Sequence, residues 1–251
     1  MAMLMISVVA RAEDREIAEI FARQGIRGTM VIASLDGAKT FIHDEDRAHR
    51  RFPAASTFKI LNTLIALEEG AVTGKEEVIR WDGRQYDFPD WNRDQTLEGA
   101  YRASCVWYYQ ELARRVGAVK YRDYVRRCSY GRLAEPFDGT SFWLDGALRI
   151  SAIEQVEFLR KVCRRKLPFS MSAYDTLRDI MLASQTPGYT LRAKTGWAAR
   201  ENPQTGWYVG YVENGGKVWI FATNMEIRNA EELPLRQAVT LEALRAKGIV
   251  E

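Results

Sequence analysis

The sequence predicts an α+β fold, in which an antiparallel sheet is flanked by terminal helices and interrupted by an inserted all-helical lobe. Strand patterns occur near both ends of the chain, whereas helical patterns fill the middle. The economical arrangement therefore pairs N-terminal with C-terminal strands in one sheet, around the insertion. A cleft between two such lobes is a usual place for a ligand.

The predicted strands are short apolar and β-branched runs bounded by turn residues. They cover residues 28–34, 40–43, 189–194, 207–213 and 218–223. Asp36-Gly37 joins the first pair, and Asn214-Gly215-Gly216 joins the last pair. These residues accept the positive φ angles that tight hairpin turns require, so both connections are predicted to be hairpins.

The predicted helices carry apolar residues at three- and four-residue spacing. They cover residues 14–24, 56–69, 121–127, 151–167 and 235–247, and residues 97–116 are predicted to be mostly helical. Ser151 and Glu154 form a capping box at the start of one of them. Residues 44–51 are predicted to be a charged connection, and strand signals almost vanish between Gly70 and Lys166.

A chain of 251 residues fits a single domain, which we assign to residues 13–251. Its sheet lobe is expected at about 13–55 and 167–251, and its helical lobe at about 56–166. The short apolar start, residues 1–12, is either a remnant of a secretory signal peptide or a disordered start.

Bulk properties argue against several classes of protein. The net charge of +3 is weak and the arginine pairs are scattered, so no nucleic-acid surface is expected. No apolar stretch is long enough to span a bilayer. Three cysteines without paired spacing and two histidines six residues apart indicate neither a metal site nor a Ser-His-Asp triad.

The stretch Ser56-Thr57-Phe58-Lys59 supplies a candidate nucleophile and its base. An apolar run follows directly, which predicts a buried helix with Ser56 in its first turn. Side chains three residues apart share a helix face, so the Lys59 amine would lie close to the Ser56 hydroxyl. A neutral or modified lysine can activate a serine. The alternative is a capping serine beside a solvated lysine.

Two further elements would complete such a site. Lys194-Thr195-Gly196 closes a predicted strand and offers an ammonium, a hydroxyl and an open backbone edge, which suits an anionic peptide-like substrate. Ser104-Cys105-Val106 would add a hydroxyl from the opposite wall. Its alternative is a buried serine inside a helix.

In this order and at these separations, the three elements resemble the penicillin-recognising serine enzymes, and within them the class D, oxacillinase-type β-lactamases. The resemblance runs from about Ile26 to the C-terminus and implies the β-lactamase/transpeptidase-like fold. Its other matching segments are Trp91-Asn92-Arg93-Asp94, Tyr130-Gly131, Ser141-Phe142-Trp143-Leu144-Asp145-Gly146, Trp197, Gly206-Trp207-Tyr208-Val209-Gly210 and Leu235-Arg236-Gln237.

The resemblance implies hydrolysis of the amide bond of a β-lactam through a covalent acyl-serine at Ser56. It implies that carbon dioxide, or bicarbonate as its source, carboxylates Lys59, which then acts as general base for acylation and deacylation. Val106 and Trp143 are the implied pocket for this group. No metal and no organic cofactor is expected.

The remaining roles also follow from the resemblance. Ser104 would relay a proton to the leaving nitrogen, and Lys194 would support it electrostatically. The implied substrate-binding residues are Thr195, Gly196, Trp197 and Arg236. The backbone N–H groups of Ser56 and Trp197 would form the oxyanion hole, and Arg236 with Thr195 would bind the substrate carboxylate.

One position departs from the family, which usually has Tyr-Gly-Asn where this chain has Tyr130-Gly131-Arg132. No catalytic role is assigned there, and the larger charged side chain would alter the local loop or substrate entry. Two alternative functions stay open: a β-lactam sensor that acylates without efficient turnover, and a D-Ala-D-Ala peptidase. We expect a periplasmic or secreted monomer or homodimer whose partner is a small-molecule β-lactam.

Overall fold

The computed structural model describes residues 13–251, so residues 1–12, for which two alternatives were given, lie outside the described residues. Its main sheet has six antiparallel strands. They are β1 (Gly28–Ser34), β2 (Thr40–His43), β8 (Leu182–Gln185), β9 (Thr190–Ala198), β10 (Gln204–Asn214) and β11 (Lys217–Ile227). The order β2-β1-β11-β10-β9-β8 confirms that strands from both ends of the chain share one sheet.

Terminal helices cover one face of this sheet. Helix α1 (Arg15–Arg23) and helix α9 (Leu235–Ala246) pack together and contribute Ile17, Phe21 and Val239 to a core with the sheet residues. Apolar residues recur on the inner faces of both helices, and their burial removes this surface from water. The flanking terminal helices were predicted from this spacing.

The other face of the sheet packs against the helical part of the chain. Helix α7 (Ala152–Cys163) crosses β1 and β11, and helix α3 (Lys59–Glu68) is buried beside helix α8 (Met171–Ile180). The remaining helices are α2 (Glu45–His49), α4 (Leu97–Arg102), α5 (Val106–Val116) and α6 (Ala118–Cys128). Within residues 13–251, the helices are too short or too polar to cross a bilayer.

Several local predictions are confirmed by the backbone. Ser151 accepts a hydrogen bond from the Glu154 N–H while the Glu154 carboxylate accepts from the Ser151 N–H, which is the predicted capping box. Gly215 and Gly216 have φ angles of 55° and 76° in the turn between β10 and β11. The turn residues therefore specify this hairpin.

Two expectations for the middle of the chain are wrong. Short strands do occur there, because a three-stranded sheet joins β3 (Phe52–Pro53), β7 (Leu148–Ile150) and β6 (Arg132–Leu133), and a two-stranded sheet joins β4 (Val78–Ile79) and β5 (Gln95–Thr96). Strands of two or three residues are too short to show a clear alternation of apolar and polar side chains. The charged connection 44–51 also contains a helical turn, α2, which Asp44 caps.

Candidate active site

Ser56 lies in a short 3-10 helix, Ala55–Phe58, that leads directly into α3. The first turn of the predicted buried helix is therefore tighter than an α-helix, although Lys59 still follows Ser56 by one turn. Ala55 has a φ angle of 48°, and its N–H donates to the Trp143 carbonyl at 2.9 Å. Strained residues of this kind persist where the surrounding contacts enforce them. The hydrogen bond to the Trp143 backbone therefore helps to hold the turn that carries Ser56.

The Lys59 amine is the base candidate, and it is completely buried. Its Nζ donates to Ser56 Oγ at 3.0 Å and lies 5.0 Å from the centre of the Tyr109 ring. Burial lowers the pKa of Lys59 to about 7, because an ammonium loses its hydration in the apolar interior. Near neutral pH a large fraction of the amine is neutral. The alternative of a solvated lysine is wrong.

Trp143 offers a hydrogen-bond donor that nothing in the described chain uses. Its ring is buried and stacked on Phe58, with centroids 5.6 Å apart. Among the atoms of residues 13–251, none accepts a hydrogen bond from Trp143 Nε1. A buried N–H without an acceptor is costly, and such groups call for an explanation. An oxygen-bearing group on Lys59, the residue after Phe58, would supply the missing acceptor, so the residues fit a carboxylated lysine.

Ser104 faces Lys194 across the cleft. The buried Lys194 Nζ donates to Ser104 Oγ at 3.0 Å and to the Thr195 carbonyl at 3.1 Å. Burial lowers the pKa of Lys194 well below its usual range, and the positive charges of Lys59 and Arg236 lower it further. Ser104 has a φ angle of 54° in the break between α4 and α5. Residues 97–116 are mostly helical, as predicted, but the helix is interrupted at Ser104, so the alternative of a buried serine inside a helix is wrong.

Strand β9 passes directly beside the nucleophile turn. A Cβ on Gly196 would lie 3.0 Å from Thr57 Cγ2 and 3.1 Å from Trp207 Cβ, so only glycine fits without a shift. The strand also continues to Ala198, beyond the predicted end at Lys194. Its open edge is therefore brought against Ser56, where a substrate can lie along the backbone.

Arg236 provides a fixed cation at the mouth of the site. Its Nη1 donates to the Gly196 carbonyl at 2.7 Å and its Nε donates to the Leu233 carbonyl at 2.6 Å. Burial lowers the pKa of Arg236 to about 10, so the guanidinium remains charged at neutral pH. A guanidinium held in this way suits a carboxylate ligand.

Comparisons with known proteins identify the family of this chain. Residues 29–245 match the family model of the penicillin binding protein transpeptidase domain. The chain is 40% identical to the β-lactamase OXA-48 of Klebsiella pneumoniae, over 92% of this chain and 87% of that protein. It is 35% identical to the β-lactamase OXA-10 of Pseudomonas aeruginosa, over 92% of this chain and 88% of that protein.

Solved structures give the same result. The class D β-lactamase YbXI from Nostoc superposes with a TM-score of 0.91 at 40% identity, covering 93% of this chain and 99% of that one. FUS-1 (OXA-85), a class D β-lactamase from Fusobacterium nucleatum, superposes with a TM-score of 0.92 at 34% identity, covering 96% of this chain and 100% of that one. The chain belongs to the class D β-lactamases.

In this class D β-lactamase, a cavity of about 450 Å³ collects most of the residues predicted from the sequence. The predicted residues that line it are Ser56, Ser104, Val106, Thr195, Gly196, Trp197 and Arg236. Lys59 and Lys194 lie behind the wall and reach the cavity through Ser56 and Ser104. Trp143 is likewise buried behind the surface of the cavity.

Apolar residues that sequence reasoning did not assign complete the walls. They are Phe88, Trp91, Ala103, Leu144, Ala199 and Leu233, and Arg200 adds a second cation. Trp91 is anchored because its Nε1 donates to the Ala103 carbonyl at 2.9 Å. Trp91 and Leu144 occur in segments that match the family, whereas no signal marks Leu233. These residues make the β-lactamase cavity suitable for substrates with apolar side groups.

Arg132 does not take part in the site of this β-lactamase. It is exposed on β6 and does not line the cavity that contains Ser56. The expectation that the larger side chain alters substrate entry is therefore not supported by its position. The neighbouring Tyr130 is buried instead, and its ring packs edge-on against Phe58 and Phe158.

A buried polar cluster supports the nucleophile turn from below. Gln155 Nε2 donates to Thr57 Oγ1 at 2.8 Å, and Thr57 Oγ1 donates to the Ala54 carbonyl at 2.6 Å. Because Thr57 also contacts Gly196, this cluster connects α7 to both Ser56 and β9. Sequence reasoning missed Gln155, since a glutamine four residues after a helix cap carries no distinguishing signal.

Proposed function

We propose that this class D β-lactamase opens the β-lactam amide by attack of Ser56 and releases the product by hydrolysis of the acyl-enzyme. The observation that carries the proposal is the 3.0 Å hydrogen bond between Lys59 Nζ and Ser56 Oγ, made by an amine whose pKa is lowered to about 7. A neutral base at this distance can take the hydroxyl proton as the nucleophile attacks.

We also propose that Lys59 is carboxylated on its amine. Carboxylation supplies an anionic oxygen base at the position of Nζ, in place of an amine that is half protonated at neutral pH. Three features of the chain support it: the buried amine with its lowered pKa, the unpaired Trp143 Nε1–H among residues 13–251, and Val106 on the cavity wall. Trp143 would hold the group and Val106 would limit water beside it.

On the opposite wall, we propose that Ser104 passes a proton to the leaving nitrogen. Its Oγ accepts a hydrogen bond from Lys194 Nζ at 3.0 Å, and Ser104 lines the cavity. Lys194 would support this transfer by its charge or its proton. Both groups are held by buried contacts, so little reorganisation is needed when the substrate binds.

Substrate binding follows from β9 and α9. The backbone N–H groups of Ser56 and Trp197 would form the oxyanion hole, where loss of one donor costs about 10²- to 10³-fold in rate. Thr195 and Arg236 would bind the carboxylate of the β-lactam, since both line the same cavity. Apolar walls at Phe88, Trp91 and Leu144 would receive a hydrophobic side group.

The β-lactam sensor and the D-Ala-D-Ala peptidase are less well supported, because the named relatives above are β-lactamases. A steady-state assay with a chromogenic cephalosporin, followed by a panel of penicillins, oxacillin, cephalosporins and a carbapenem, tests the proposal. We expect many turnovers per enzyme and none for Ser56→Ala. Stoichiometric labelling of Ser56 without turnover would instead indicate a sensor, and cleavage of a cell-wall stem peptide would indicate a peptidase.

We further propose a periplasmic or secreted location, where β-lactams meet their cell-wall targets. Cell fractionation of a host that expresses the full chain tests it. The expectation of a monomer or homodimer stays a prediction, which light scattering at several protein concentrations would resolve.

A further inference from the structure

Arg132, the residue that departs from the family pattern, lies on β6 and faces a cleft separate from the active site. β6 pairs with β7 so that Arg132 is directly opposite Arg149. The preceding Gly131 has a φ angle of 64°, and a Cβ there would lie 2.2 Å from the Arg149 carbonyl oxygen. The two backbones are therefore in close contact, and the register that places the two arginines together is fixed.

A third arginine shares this face of the small sheet. Directly paired residues of antiparallel strands project to the same side, so Arg132, Arg149 and its other partner Pro53 share one face. Arg51 precedes Pro53 by two residues and falls on the same side by strand alternation. The intervening residues face the core instead, as shown by the burial of Phe52, Leu148 and Ile150.

These side chains line a cleft of about 470 Å³. Its charged and titratable members are His49, Arg51, Arg132 and Arg149, and its floor is made of Ala134, Gly146 and Ala147. The small floor residues leave room above the backbone for a ligand. The cleft and the cavity that contains Ser56 have no lining residue in common.

Existing ion pairs compensate only part of this charge. Arg51 pairs with Glu154 at 2.6 Å, and Arg149 pairs with Glu201 at 3.1 Å. None of the ion pairs within residues 13–251 includes Arg132. The charge of Arg132 therefore remains as an excess of positive charge in the cleft. Like charges that face each other across paired strands are destabilising, and a bound anion would reduce this repulsion.

We propose that this basic cleft, formed by Arg51, Arg132 and Arg149 with His49, binds a phosphate-bearing anion. Guanidinium groups bind phosphate oxygens in a two-point geometry. Arg132 and Arg149 lie on the paired strands β6 and β7, and Arg51 immediately precedes β3. Glu154 and Glu201 already make two-point contacts with Arg51 and Arg149, so the guanidinium of Arg132 is the main donor for the anion, and the other two arginines add their remaining N–H groups. The volume of the cleft is sufficient for more than one phosphoryl group. The ligand is either a soluble phosphorylated compound or the headgroup of an anionic lipid.

The test is a calorimetric titration of the full chain with sodium pyrophosphate at constant ionic strength, which separates specific binding from general screening. Arg132→Asn restores the residue usual in the family and removes the uncompensated charge. Arg15→Asn is the matched control, since Arg15 is exposed on α1. A parallel arm measures sedimentation with phosphatidylglycerol vesicles.

We expect saturable one-to-one pyrophosphate binding that weakens by about tenfold or more in Arg132→Asn and is unchanged in Arg15→Asn. Binding only to vesicles, with the same dependence on Arg132, assigns the cleft to a lipid headgroup and also supports the proposal. Absence of saturation in both arms, or equal weakening by both variants, overturns it. Unchanged thermal unfolding and cephalosporin turnover in Arg132→Asn show that the fold is intact.

Discussion

Replacing Trp143 by phenylalanine tests the proposed carboxylation of Lys59 most directly. The variant keeps an aromatic ring on Phe58 but loses the only polar atom of the side chain, Nε1, which is buried without a partner among residues 13–251. A hydrogen bond to a charged group is worth about 1.5–3 kcal/mol. Its loss should lower the equilibrium constant for uptake of carbon dioxide by about 10- to 100-fold.

The assay measures initial rates of cephalosporin hydrolysis in degassed buffer near neutral pH as bicarbonate is added. We expect Trp143→Phe to start with low activity and to recover with bicarbonate, at a half-saturating concentration about 10- to 100-fold above that of the unaltered enzyme. Trp219→Phe is the matched control, since Trp219 stacks on Phe41 at the far strand pair of the sheet. Equal bicarbonate dependence in the two variants and the unaltered enzyme would refute the reasoning.

Four further predictions follow from the same contacts. Lys59→Met should abolish turnover and raise stability to unfolding by at most about 4 kcal/mol at neutral pH, measured by thermal unfolding without bicarbonate. The pKa of Lys59 is about 7 in the folded state, below the ordinary 10.5, so between these values the unfolded state binds one more proton than the folded state. The stability gained by Lys59→Met should therefore shrink as pH rises toward 10.5. A stability gain that grows with pH would contradict this. With limiting bicarbonate, turnover of the unaltered enzyme should fall about tenfold per pH unit below 7, because protonation removes the neutral amine; a flat pH profile contradicts this. Arg236→Gln should raise KM for carboxylate-bearing β-lactams about 10- to 100-fold with less effect on kcat, and an unchanged KM would exclude the proposed contact. Gln155→Met should lower kcat, because it removes the donor to Thr57. Its cost in unfolding free energy should stay within about 1 kcal/mol, because it also removes Gln155 Oε1, which is buried without a partner among residues 13–251. An unchanged kcat would show that this hydrogen bond does not support the nucleophile turn.

The pairing of Ser56 with Lys59 was accessible from the sequence because it depends on local geometry alone. A spacing of three residues brings two side chains to one face in both a 3-10 helix and an α-helix, so the tighter turn left the prediction intact. The apolar run after Lys59 likewise indicated burial, and burial is what lowers the pKa of the amine.

Ser104 shows where sequence reasoning failed. Helical spacing is present on both sides of it, in α4 and α5, so the pattern predicted a mostly helical region without showing where it is interrupted. The break depends on a positive φ angle at a non-glycine residue, which no residue type announces. Arg132 is a similar case, because its departure from the family was visible but its position opposite Arg149 required the strand register.

The two buried lysines of the site are coupled by their charges. Burial is the largest cause of the lowered pKa of Lys194, and the positive charge of Lys59 lowers it further. If Lys59 becomes an anion, this repulsion changes to attraction and the ammonium form of Lys194 is favoured. The state of the base beside Ser56 thus sets the protonation of the group that supports Ser104. We infer that both walls of the cavity become competent for catalysis together. This coupling explains how two buried lysines can share one site in which no Asp or Glu of residues 13–251 lines the cavity.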